Sequence, residues 1–256
     1  MKFVFKTSVL CFAVLILFGF KFGGDWKVKK SRHFLIYYKR APYGYIGNVA
    51  RESERYYKEI TEYLGLRRFN FWTFDNRCKI YIFESLEDYL KNTGCEKWSR
   101  GHVDIKEKEI TTFAVQEEFF TNILPHEMGH IIFREVIGFK AKIPLWLDEG
   151  VAVLQEENRD NYLNAAKALV KNDLYISVKS LSDIRDYKYV IPVIFYSEAA
   201  SLIEFLLDVY GRDEFIKFCR KIRDGMEWKE ALFKVYGFKD LEAFQGAWIN
   251  NMKKQV

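Results

Sequence analysis

The chain has 256 residues, 49% of them hydrophobic and 18% aromatic, which is ample for a sizeable packed core and excludes a disordered chain. Lys and Arg number 40 against 35 Asp and Glu, a net charge of +5, but Lys2, Lys6 and Lys21 lie in the first 24 residues, which hold no acid, so the remainder carries 37 against 35, or +2. So small a surplus, with no dense basic run interleaved with aromatics, points away from nucleic acid as a partner.

In chain order, "MKFVFKTSVLCFAVLILFGFKFGG" (1–24) has early lysines and then an uncharged, mostly apolar stretch from Thr7 to Phe20, the layout of a secretory signal. The stretch is short against the ~20 apolar residues of a full membrane span. The region after Phe20 also lacks a small-x-small cleavage site. Cleaved signal peptide and retained N-terminal membrane anchor therefore both stand, and the expectation is an extracytoplasmic protein, secreted or membrane-anchored. Of the cysteines beyond it, Cys78 and Cys95 can form a disulfide in an exported chain or remain buried free thiols, as can Cys219.

"HFLIYYK" (33–39) reads as a buried strand. An amphipathic helix follows, with Ile46, Val49, Tyr56, Tyr57, Ile60 and Leu64 near one side and Gly65 as its stop. "CKIYIF" (78–83) is a second strand, "SLEDYLKNTG" a short helix opened by Ser85 and closed by Gly94, and "HVDIKEKEITTFAV" a hairpin around a charged turn. From Phe119 onward the pattern is helical: 119–137, 144–157, 159–171, 192–210, 212–224, 228–236 and 240–253. With no repeat and no long linker, residues 25–256 read as one α+β domain, a mixed lobe over about 30–118 followed by a mainly helical lobe over about 119–256.

Within the first of those helices lies "LPHEMGHIIF" (124–133). Residues i and i+4 share a helix face, so His126 and His130 can address a single ion, whereas Glu127 is displaced around the helix and stands beside the ion instead of on it. A catalytic zinc needs three protein ligands and an open position, with a neighbouring carboxylate to take a proton from water. His33 and His102, in a strand and a turn, read as ordinary polar residues. Downstream, "IPLWLDEGVAVLQEE" offers Asp148 and Glu149 in an apolar helix, where burying an unpaired acid is costly. Glu149 thus has a physical reason to be a ligand, with Asp148 the alternative. Gly129 lets a neighbouring backbone approach the histidine helix. Pro125 implies either that the helix begins near Thr121 or that it is kinked before the site.

"HEMGH", eighteen further residues, and the glutamate of "WLDEG" together resemble the gluzincin zinc metallopeptidases, in particular the aminopeptidase-N-like core and the small exported peptidase-MA-like proteins. The resemblance implies a thermolysin-like zincin fold and one Zn2+ per chain held by His126, His130 and Glu149. It implies Glu127 as general base and a peptide or protein as substrate. It also implies Tyr196 of "FYSEAAS" as an oxyanion donor, with Glu198 where the family usually carries a lysine, and the strand Ile110 to Val115, with Thr111 and Thr112, as the edge that binds substrate backbone. The glycine, alanine, methionine, glutamate, asparagine run that grips a free substrate amine is absent, so exopeptidase specificity is not implied. Two rivals remain: a non-catalytic extracytoplasmic binding or scaffold module that keeps the fold, and a metal-dependent hydrolase of a non-peptide bond. Intact Glu127 speaks against the first, since a structural site needs no base.

Overall fold

The computed structural model describes residues 25–66, 72–95 and 99–255. The apolar segment 1–24, read above as signal or anchor, lies outside them. Among the described residues no helix is long and apolar enough to cross a membrane.

Five strands form one mixed sheet. They are β1 (Lys27–Lys30), β2 (Phe34–Tyr38), β3 (Cys78–Phe83), β4 (Gly101–Asp104) and β5 (Glu109–Phe113), in the spatial order β1-β2-β3-β5-β4. The three inner strands are parallel, and each edge strand is antiparallel to its neighbour. Strand β1, "KVKK", is exposed at every residue and has no apolar alternation to reveal it. Its lysines suit an open sheet edge, because charge discourages pairing with another chain. The hairpin expectation holds for β4 and β5, but its edge assignment needs correction. Strand β5 pairs with β3 on one side and β4 on the other, so the edge is β4, and the Thr112 hydroxyl donates to Arg100 O at 2.7 Å. Sequence neighbours in the hairpin are thus not the spatial order of the sheet.

Helix α1 (Tyr45–Tyr63) lies against β2, its buried side containing Ile46, Val49, Tyr56, Tyr57 and Ile60 as expected, with Leu64 buried just past its end. Helix α2 (Leu86–Thr93) opens on Ser85, whose hydroxyl accepts the Asp88 N–H, and closes on Gly94 at φ +67°, a left-handed position that glycine adopts at low cost. His33 is structural: its Nδ1 meets Glu54 at 2.6 Å and its ring stacks on Tyr57. His102 sits on β4, where burial lowers its pKa and keeps the ring neutral. Cys78, Cys95 and Cys219 are free thiols, Cys78 in the main core and Cys95 against the smaller cluster of Phe83, Tyr89 and Phe113.

The second half is helical: α3 (Leu124–Ile137), α4 (Leu145–Val153), α5 (Arg159–Lys171), α6 (Val178–Asp183), α7 (Pro192–Val209), α8 (Arg212–Arg223), α9 (Trp228–Tyr236) and α10 (Leu241–Lys254). Helix α4 is shorter than the 144–157 expected, and α6 is an addition, a single short helix capped by Ser177. One continuous core joins the helices to β2, β3 and β5. Trp228 and Trp248 are buried in it, as packing residues.

Two glycines set the spacing of α3, α4 and α7. A Cβ built on Gly129 would lie 3.0 Å from Ala152 Cα of α4, and one on Gly150 only 2.3 Å from the Ala199 carbonyl oxygen of α7. Hydrogen at those positions lets three helices converge where the metal-binding pattern lies.

Candidate metal centre

Helix α3 does not start abruptly. A π-helical turn, Phe119–Ile123, leads into it, and Pro125 stands in its first turn. Proline has no N–H, so the Thr121 carbonyl one turn earlier loses its helical donor. The Glu157 N–H, arriving from beyond α4, supplies the bond at 2.9 Å. The proline problem is thus solved by a wider turn and a long-range hydrogen bond within the chain, and that bond fixes the segment next to Glu156. Tyr56 of α1 braces the same junction, its hydroxyl 2.6 Å from Phe120 O and 2.9 Å from Glu157 Oε1.

On this frame His126, His130 and Glu149 meet, all buried. The two Nε2 atoms are 3.1 Å apart, and Glu149 Oε2 lies 3.6 Å from that of His126 and 3.7 Å from that of His130. Donors each ~2.0–2.1 Å from a tetrahedral ion stand ~3.3–3.4 Å from one another, so the triangle has the right size.

The protonation pattern strengthens the fit. His126 Nδ1 is 2.7 Å from Glu156 Oε1, and His130 Nδ1 is 3.1 Å from Asp148 Oδ1. A carboxylate only accepts, so each Nδ1 carries a hydrogen donated outward and each Nε2 is turned inward, toward Glu149. Two ring nitrogens and a carboxylate oxygen with no hydrogen-bond partner, Glu149 Oε2, then face one another in a buried space. Such an arrangement repels itself unless a cation or a proton lies between. The pKa of His126 shows how strong the field is. Burial works to lower it, yet Glu149 and Glu156 outweigh that and raise it well above the usual imidazole value.

Around the triangle each candidate ligand has an outer partner. Asp148 stands outside the triangle, meeting His130 Nδ1 instead, and Arg134 of α3 in turn holds it through Nε at 2.8 Å and Nη2 at 2.7 Å. Against the cost of burial, His130 and Arg134 keep the Asp148 pKa below its ordinary value. The other Glu149 oxygen, Oε1, accepts from the Tyr187 hydroxyl at 2.6 Å. Burial and the Glu149 charge raise the pKa of that phenol, which keeps it a donor. The sequence reading found neither Glu156 nor Tyr187. Glu156 was visible in "QEE", but nothing in its spacing separates it from its neighbours.

Glu127 is buried beside the histidines, its Oε2 without a hydrogen-bond partner. Burial raises its pKa, an effect the two histidines oppose. Tyr196, on α7, packs edge-on against Phe195 and Tyr162 and is close enough to Tyr187 to help raise that phenol's pKa. Thr111 and Thr112 lie on the inner strand β5, away from an open edge.

Among known proteins, the pattern of the Peptidase MA superfamily matches residues 73–254, well over half of the chain, and the chain belongs to that superfamily. The match spans β3 through α10 and includes the whole candidate centre. No curated protein matches the chain. Membership makes this a peptidase-type fold of the zincin kind, in which a buried His-His-Glu group can hold a metal ion.

Proposed function

We propose that the protein is a zinc-dependent metallopeptidase of the gluzincin type, exported through its N-terminal segment and hydrolysing peptide bonds. The observation that carries the reading is the inward triangle of His126 Nε2, His130 Nε2 and the unpartnered Glu149 Oε2, with both Nδ1 atoms already committed to carboxylates. Three protein ligands would leave a bound zinc one further position, which suits catalysis and not a closed structural site. Zinc supplies, when bound, the Lewis acidity that polarises a carbonyl and lowers the pKa of water.

The chain's own residues supply the rest. Glu127 takes the proton from the attacking water and passes it to the leaving amine, a task for which a carboxyl with a raised pKa is suited. Asp148 and Glu156 hold the imidazole rings in one tautomer. Tyr196 donates to the oxyanion as it forms. A binding module has no use for a buried, unpaired carboxyl next to its metal, and Glu127 therefore favours the enzyme.

The test is Glu127→Gln assayed on a mixed peptide library. The expected result is unchanged zinc content with hydrolysis reduced about 10²–10⁴-fold, the worth of a general base. Zinc in both forms with hydrolysis in neither would favour the non-catalytic module.

A further inference from the structure

The outer partners of the triangle are not alike. His126 and His130 each meet a carboxylate, which makes an imidazole a stronger donor to a cation. Glu149 meets a phenol, which withdraws charge from it. The difference bears on how many positions a metal would have left.

A glutamate ligand can bind through one oxygen or both. Two-oxygen binding would fill the position that water and the substrate carbonyl need. Here the two oxygens are already distinguished: Oε1 accepts from Tyr187 at 2.6 Å, and Oε2 has no hydrogen-bond partner and lies 3.6 and 3.7 Å from the two imidazole nitrogens. Tyr187 comes from neither of the ligand helices. It opens a short 3-10 turn, Tyr187–Tyr189, on the chain entering α7. Asp186 caps that turn by accepting the Lys188 N–H at 2.9 Å, Val190 N–H closes it on Tyr187 O at 3.2 Å, and Phe195 meets the Tyr187 ring edge-on at 6.1 Å. The phenol is therefore held in place independently of Glu149.

Resting on the zinc reading above, we infer that Tyr187 is a positioning residue: its hydrogen bond to Oε1 would restrain Glu149 to binding a metal ion through Oε2 alone, leaving room for water and the substrate carbonyl. Its donation would also make Glu149 a weaker donor to a bound ion, the direction that favours polarising a carbonyl. The role belongs to the hydroxyl alone, since phenylalanine would keep the ring against Phe195.

The experiment compares the full chain with Tyr187→Phe, and with Tyr162→Phe as a neighbouring phenol outside the triangle. Zinc affinity is measured by chelator competition, and coordination number is read from the visible bands of the cobalt(II) form. Near-ultraviolet circular dichroism of each metal-free protein establishes that it is folded. The expected result is an intense four-coordinate cobalt spectrum in wild type and Tyr162→Phe. Tyr187→Phe should show the weaker bands of a five-coordinate ion, its freed carboxylate oxygen having become an added donor. A folded Tyr187→Phe with the wild-type spectrum overturns the role. A wild type that takes up neither ion overturns the zinc reading, and this inference with it.

Discussion

Glu149 of α4 and Glu198 of α7 are both buried glutamates on helices packed against each other, and each has one oxygen in a hydrogen bond and the other without one. What differs is the field. The free oxygen of Glu149 looks at two imidazole nitrogens. For Glu198, burial raises the pKa to about 8, and what opposes burial is the Ile176 N–H, donated to Oε1 at 2.8 Å. An unpartnered carboxyl oxygen in a core thus has two meanings. Surrounded by lone-pair donors it is part of a cation site, and left to itself it is a neutral acid carrying its own proton.

The largest effect that sharpens this contrast is expected at the residue between the two. Gly150 follows Glu149 and packs on Ala199, which follows Glu198, so Gly150→Ala must push α4 away from α7 against backbone that cannot yield. A loss of about 3 kcal/mol or more, at or beyond the upper end of overpacking costs, should appear in chemical denaturation, together with weaker metal binding. Wild-type stability would mean that the helices slide apart freely and that the glycine does not set the site.

Next is the outer shell. Asp148→Asn and Glu156→Gln should each weaken zinc affinity about 10–100-fold in chelator competition, since each removes the charge that fixes one imidazole. Asp148→Asn should also loosen Arg134, seen as faster amide exchange near the end of α3. Equal affinity in all three proteins would reduce these contacts to packing.

A third effect concerns Glu198 and acts through pH. Its folded pKa, about 8, is above the 4.5 of an ordinary glutamate, so the folded state retains a proton that the unfolded chain gives up. Its contribution to stability is complete below about 4.5 and is lost as pH rises through about 8, at no more than about 1.4 kcal/mol per pH unit. Glu198→Gln, neutral throughout, should lack that decline and be the more stable protein above pH 8. Parallel stability curves for the two proteins would show that Glu198 is ionised in the fold and has found a partner.

The inner triangle was legible in the sequence because helical spacing alone brings His126 and His130 together, and because an acid in the apolar run around Trp146 and Leu147 needs a reason to be buried. Glu156 and Tyr187 were not legible. One lies just past the end of α4 and is placed by the bond from Glu157 to Thr121 that Pro125 makes necessary. The other arrives on a loop, and nothing local marks one tyrosine among sixteen. In the sheet, short apolar runs marked β2 and β3 and alternation marked the hairpin, but strand order depends on the parallel crossover that sets β5 beside β3. Strand β1 escaped notice because four exposed residues carry no buried face to signal.

The central claim is that the triangle holds a metal. Elemental analysis of the purified chain beside Glu149→Ala tests it most directly. About one zinc per chain, lost or much weakened in the variant, is the predicted result. A folded, zinc-supplemented wild type with no bound metal would contradict the account.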